Sequence, residues 1–216
     1  MRRITRLLWL ILPLAAGLAS PALAHPHVWV TAKADIVYDD KVQVTAVRHI
    51  WTFDPAYSSY ATQGLDKNGD GKLSPEELAD LARVNVESLS EFHYFTKGKA
   101  NGKPVVFASP IDYGLTLDNG QLTLSFTLPV KTPTPANRIF ALEIYDGTYF
   151  VSFTMADGDD AVQTSGAPKG CAKTITRPHQ PDPAQQQQLS ETFFNSLTAT
   201  SNFGFQFANR ILVACP

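Results

Sequence analysis

The chain has 216 residues, with 18 basic and 20 acidic side chains and a formal net charge of −2. That balance excludes nucleic acid as a partner, because binding phosphates needs a basic face. The length suits one domain with a sizeable core.

Arg2, Arg3 and Arg6 precede an almost wholly apolar run from Leu7 to Leu18, and Ala22-Leu23-Ala24 follows with small residues at the two positions a signal peptidase reads. This is the basic, apolar and A-x-A order of a secretory leader. The apolar run is short for a bilayer span and no second one follows, so no span is expected after cleavage. Residues 1–24 are read as the leader and 25–216 as one periplasmic domain that begins at His25. The leader takes three basic and no acidic groups with it, leaving 192 residues with 15 basic and 20 acidic groups, a net charge of −5 that attracts cations.

Residues 28–50 predict a hairpin. Val28, Val30, Ala32, Ala34 and Ile36 recur with period two, as do Val42, Val44, Ala46 and Ile50, and Asp39-Asp40-Lys41 supplies the turn. Matching the two apolar faces sets Val44 opposite Ile36, which puts Trp29 opposite Trp51 with His27 on their face. Residues 55–92 predict helix, loop, helix, with Leu78, Leu81, Ala82, Asn85, Leu89 and Phe92 on one stripe. Strands return over 93–156, with hairpin turns at Asn101-Gly102 and Asn119-Gly120 and a third at Asp146-Gly147. Residues 157–183, rich in Gly, Pro, Asp and Lys, read as a long surface loop. Asp182-Pro183 starts a helix that runs through four glutamines to about Thr200, and FANRILVAC closes the chain as a short strand. The fold class is therefore α+β, an antiparallel sheet with a helix-loop-helix insertion and a C-terminal helix. Cys171 and Cys215 make no C-x-x-C motif, and in an exported protein they pair as one disulfide.

The segment DKNGDGKLSPEE supplies Asp66, Asn68 and Asp70 at loop positions one, three and five. Gly71 takes position six, where a sharp turn is needed. Lys72 at seven offers its backbone carbonyl, and Glu77 at twelve offers a bidentate carboxylate. This is the EF-hand calcium pattern, in which a twelve-residue loop aims its oxygens at one hard cation. Ser74-Pro75-Glu76-Glu77 is also a capping box that launches the second helix. Outside the cytoplasm calcium is plentiful, so a lone loop of this kind reads as a permanent staple.

His25 and His27 stand two apart, so on an extended strand both imidazoles face one way. Cleavage frees the α-amine of His25, and amine plus two imidazoles make a three-nitrogen set suited to copper, nickel, cobalt or zinc. Pro26 removes the amide nitrogen that the square-planar X-X-His copper mode requires. The alternative for these residues is an exposed terminal His and a packing His. His49 shares their face but lies too far along the strand to reach the same ion as His27 without a bend, and His93 and His179 are unplaced as third ligands.

The leader, HPHVWV, WTFDPAYS, the acidic loop, YDGTYFVSF and the late FANRILVACP together make a chain that resembles a bacterial family catalogued as domain of unknown function 1007. The resemblance implies a periplasmic component of a transport system, with a nickel, cobalt or zinc transporter of the inner membrane as the partner. The family has Asp-Pro-x-Tyr-Tyr where this chain has Asp146-Gly147-Thr148-Tyr149-Phe150. The expected function is a calcium-stabilised metal-binding accessory. The alternatives are an envelope binding module that uses exposed Trp29 and Trp51, and a copper enzyme built on the terminal histidine. No G-x-S-x-G, H-E-x-x-H or P-loop appears.

Overall fold

The computed structural model describes residues 25–179, 193–194, 196–198 and 200–216. The expected leader lies outside that set, as does most of the expected C-terminal helix. Phe193 and Phe194 are helical, but from Ser196 the described chain turns, so a helix does not run on to Thr200.

Two mostly antiparallel sheets enclose one hydrophobic core. The first holds β1 (Val28–Tyr38), β2 (Gln43–Phe53), β5 (Ile111–Asp118), β6 (Gln121–Pro135), β8 (Val151–Met155) and β9 (Val162–Gln163), in the order β5-β6-β2-β1-β8, with β9 also on β1. The second holds β3 (Thr96–Ala100), β4 (Lys103–Val105), β7 (Ile139–Ile144), β10 (Ala172–Thr176) and β11 (Asn209–Ala214), in the order β10-β11-β7-β3-β4. Asn209 joins them. Its amide nitrogen donates to the Phe153 carbonyl (2.8 Å) and its oxygen accepts the Met155 N–H (3.0 Å), so a β11 side chain satisfies β8 backbone. A buried amide of this kind holds its place because each group left unpaired would cost about 1–3 kcal/mol. Two helices, α1 (Pro55–Ala61) and α2 (Pro75–Ser88), follow β2. Leu78, Ala82 and Val86 bury the inner face of α2, which packs on β5. No helix among the described residues is long and apolar enough to cross a membrane.

The predicted hairpin of β1 and β2 is present, but its register differs. Ile36 faces Val47 and Ala32 faces Trp51, while Trp29 has no partner on β2. The cause is an irregularity at the turn end of the hairpin. The β2–β6 ladder slips between Val44 and Ala46, and the β1–β2 ladder slips between Val37 and Tyr38. One extra residue exchanges the faces of everything beyond it. Val47, His49, Trp51 and Phe53 therefore point inward and Ile50 outward. Trp29 is 50 % exposed while Trp51 is 1 % exposed, so the two do not form a surface pair.

Asn101-Gly102 and Asn119-Gly120 turn the β3–β4 and β5–β6 hairpins, each with both residues at positive φ as the primed turn requires. The third expected hairpin is not one. β7 belongs to the second sheet and β8 lies parallel to β1 in the first, so Asp146-Gly147 is a crossover between sheets. Alternation alone carries no information about which sheet a strand joins. The second helix stops at Ser88 rather than 92. A 3₁₀ turn over Leu89–Phe95 follows, with His93, Tyr94 and Phe95 all left-handed (φ 52°, 57° and 48°). The 157–183 stretch contains β9 and β10, and Cys171 and Cys215 form the disulfide across a separation of 44 residues.

His49 stands in the core, with its Nε2 3.3 Å from the Thr96 hydroxyl and its ring against Phe126 and Trp51. Burial disfavours the charged ring and lowers its pKa from 6.5 to about 3. The unfolded chain takes up this proton below about pH 6.5, whereas the folded chain refuses it until about pH 3. Stability is therefore lost as the pH falls through that window, by of order 3 kcal/mol between pH 7 and pH 4 from this group. Urea unfolding at those two pH values should show the loss, and a His49→Leu variant should lose less stability on acidification than the parent.

Candidate functional site

The crossover from β7 to β8 is built on one carboxylate. Asp146 is buried, and its oxygens accept the Thr148 N–H (2.8 Å), the Thr148 hydroxyl (2.9 Å) and the Val151 N–H (2.9 Å). Aspartate followed by glycine and threonine is a residue set for such a side-chain-closed turn. The turn presents the Phe150 carbonyl outward, where the N–H groups of His27 (2.9 Å) and Val28 (3.3 Å) both donate to it. The C-terminal segment closes over the same turn, with Gly204 N–H on the Gly147 carbonyl at 2.8 Å. Neither glycine has room for a side chain. A Cβ on Gly147 would lie 2.2 Å from the Ser201 carbonyl oxygen, and one on Gly204 would lie 1.7 Å from that of Asp146. Glycine at 147 thus matches the close approach of the Ser201 backbone.

The docked N-terminal segment brings the two histidines together just before β1, which begins at Val28, rather than on the extended strand that the spacing assumed. Their ring centroids are 4.7 Å apart, edge to face. His25 stacks flat on Phe194 at 4.0 Å, and His27 leans on Phe150 at 4.8 Å. Both line a cavity of about 570 Å³. Its walls are largely aromatic, including Trp51, Phe53, Phe92, Phe95 and Phe153, and its polar groups include Asn85, Asp146 and Thr148. Residue type, spacing and position after the expected cleavage pointed to His25 and His27. The cavity, Asp146 and the inward turn of Trp51 escaped the sequence, because the bulge in β2 and the crossover after β7 create them. The stacked pair Phe92 and Phe95 also borders a second cavity of about 700 Å³, which contains Lys97 and Lys99. His49 lies in the core, while His93 and His179 are exposed. Among the described residues, no three His, Cys, Asp or Glu gather into a metal-holding cluster.

The acidic loop lies between α1 and α2. Helix α1 ends at Ala61, four residues short of Asp66. Asp66 accepts the N–H groups of Gly69 (2.8 Å) and Gly71 (2.9 Å), Asn68 accepts that of Asp70, and Asp70 accepts that of Lys72. Glu77 reaches back to the N–H groups of Lys67 and Ser74, both at 2.9 Å, and Ser74 caps α2 in return. Those N–H groups, Ser74 first and then Lys67, hold the Glu77 carboxyl below its ordinary pKa. Gly71 has φ 78°, the left-handed turn that position six demands. The bond from position six to position one closes the loop, and Glu77 returns to its start. In this structure the carboxylates face loop N–H groups rather than one shared point.

These features define an α+β protein of two sheets whose N-terminal strand carries a histidine pair to the rim of an aromatic cavity. The model of a protein family of unknown function, DUF1007, matches residues 10–215, and the chain belongs to that family. It is similar to an uncharacterized protein of Haemophilus influenzae, 27 % identical over 194 residues that cover 89 % of this chain and 92 % of the relative. It is also similar to an uncharacterized 15.5 kDa protein of Spirochaeta aurantia from a trpE 3′ region, 27 % identical over 106 residues, covering 49 % of this chain and 76 % of that protein.

The contact at Gly204 gives a direct test of the closure. Gly204→Ala must displace the 201–204 segment from the Asp146 turn, and overpacking of this kind costs about 1–3 kcal/mol. Denaturant unfolding should show that loss, whereas Gly102→Ala, which meets no atom within 4 Å, carries only the cost of its positive φ.

Proposed function

We propose that this chain is a calcium-stabilised metal-binding accessory protein of the periplasm, working with an inner-membrane transporter of nickel, cobalt, zinc or copper. The observation that supports this reading best is the spacing of His25 and His27. Two imidazoles that bind one ion at about 2.0–2.1 Å have centroids roughly 4.5–5.2 Å apart for angles near 90–110°. The observed 4.7 Å falls in that range. Cleavage after Ala24 would add the amine of His25 as a third nitrogen beside two imidazoles that line the cavity. A soluble domain over 25–216 then presents a partly coordinated ion, which suits transfer to a partner.

Calcium is assigned to the loop of Asp66, Asn68, Asp70, the Lys72 carbonyl and Glu77. Its role is structural, because the loop is continuous with α2, whose last turns carry Asn85 and Ser88 of the cavity wall. The reading of the protein as a module that binds a partner through paired tryptophans loses Trp51 to the core and keeps only Trp29 at the surface.

Two measurements test the two metals separately. A site filled only in the native state adds about 2.7 kcal/mol at a hundredfold excess of ligand over Kd. Thermal melts of the exported protein should therefore shift upward from chelator to calcium, and Glu77→Gln should abolish the shift. Equal midpoints for the parent would remove calcium from the account. For the histidine pair, one extra residue placed before His25 moves the amine away and leaves both rings. Titration with nickel, copper, cobalt and zinc should give at least tenfold weaker binding to the extended protein, and equal affinities would reject the processed terminus as a ligand.

A further inference from the structure

A second cavity lies along the open edge of β3. Strand β4 covers β3 only from Gly98 to Ala100, so the edge at Thr96 and Lys97 has no strand beside it. A space of about 700 Å³ follows that edge, within the usual range for small-molecule sites. His25 and His27 line the other cavity and not this one.

One side of this space is apolar. Phe92, Tyr94, Phe95 and Phe107 wall it, and Phe92 and Phe95 stack with ring centroids 5.3 Å apart. The backbone that carries three of these rings is held in an uncommon shape. His93, Tyr94 and Phe95 are left-handed in succession, at φ 52°, 57° and 48°. Bulky residues avoid this region unless their surroundings hold them there, and such strain gathers at ligand clamps. Here the Thr96 hydroxyl donates to the Tyr94 carbonyl (2.7 Å), and the Tyr145 N–H donates to the Phe95 carbonyl (3.0 Å).

The other side is cationic. Lys97 and Lys99 stand two residues apart on one face of β3, and both line the cavity. No Asp or Glu lines it, although acidic groups outnumber basic ones in the chain. Glu143 stands opposite Lys97 on β7, but its carboxylate lies 3.8 Å from the Arg210 Nε. Among the described residues neither lysine makes an ion pair. Lys97 is nonetheless held in place. Its ammonium donates to the Tyr145 hydroxyl and sits 4.9 Å from the centre of that ring. The hydroxyl donates in turn to the Asn202 side-chain oxygen (3.0 Å). An ammonium has three N–H donors, so Lys97 keeps two beyond the one that Tyr145 takes. Tyr145 thus ties the two sides together, the aromatic segment through its backbone and Lys97 through its hydroxyl.

We propose that this cavity binds a small aromatic carboxylate. The carboxylate accepts from the remaining N–H groups of Lys97 and from Lys99, and the ring packs on the aromatic wall. A bare inorganic anion would leave that wall unused, and a neutral ring would leave two ammonium groups without a counter-charge. The site is independent of the metal reading of His25 and His27.

The probe is 2-naphthoate. Its neutral isostere 2-naphthamide keeps the rings and loses the charge, while acetate keeps the charge and loses the rings. Calorimetric titration of the exported protein should show naphthoate binding at least tenfold more tightly than either control. Lys97→Gln and Lys99→Gln should each weaken naphthoate at least threefold, and together at least tenfold, with naphthamide unchanged. Tyr145→Phe keeps the ring and the backbone bond but removes the hydroxyl that positions Lys97. It should weaken naphthoate at least threefold and leave naphthamide unchanged, a split that general loosening of the fold would not produce. His25→Ala combined with His27→Ala should leave naphthoate unaffected.

Equal affinities for naphthoate and naphthamide would show that the lysines recognise nothing, and acetate matching naphthoate would show a site for charge alone. Either result overturns the proposal. So does naphthoate binding that survives loss of both lysines, or that is lost with the two histidines, which would put the occupant in the other cavity. Absence of naphthoate binding at millimolar concentration rejects the site outright.

Discussion

The buried carboxylate of Asp146 is the constraint on which the rest of this molecule depends. A charge taken out of water persists only where hydrogen bonds replace the lost hydration, and here the N–H groups of Thr148 and Val151 and the Thr148 hydroxyl do so. The turn they close carries the chain from one sheet to the other. It also fixes the Phe150 carbonyl that receives the N-terminal segment and the Gly147 carbonyl that receives Gly204. Three segments far apart in sequence meet at this point, and the cavity is the space they leave against the core.

Asn209 performs the matching task inside. Its side chain bonds the β8 backbone from β11, so the two sheets are joined by polar contacts as well as by apolar burial. Directional bonds set where one sheet lies over the other, which nonpolar contact alone does poorly. His49 and Trp51 occupy the same interior. The irregularity in β2 that turns them inward places one ring where its charge is suppressed and the other where its indole N–H is buried without a hydrogen-bond partner among the described residues.

Helix α2 connects the acidic loop to this site. Ser74 and Glu77 close its first turn, while Asn85 and Ser88 near its other end line the cavity. Fourteen residues make a rod of about 21 Å, so the conformation of the loop and the position of the cavity wall are held by one rigid element.

The sequence by itself determined the local features. Period-two alternation marked β1 and most of the later strands, because side chains on a strand change faces at every residue. Asn-Gly pairs marked two hairpins, because few other residues accept two positive φ angles in succession. The capping box and the loop glycines marked α2 and the turn before it, since their hydrogen bonds span only a few residues. Two cysteines and no C-x-x-C motif marked the disulfide. The tertiary structure decided the rest. A slip at Val44–Ala46 exchanged the faces of β2, burying Trp51 and His49 and exposing Ile50. The crossover at Asp146 sent β7 and β8 to different sheets, where the pattern alone suggested a hairpin. The cavity rests on both events. It is formed by residues from distant segments, and no local period records which of them will meet.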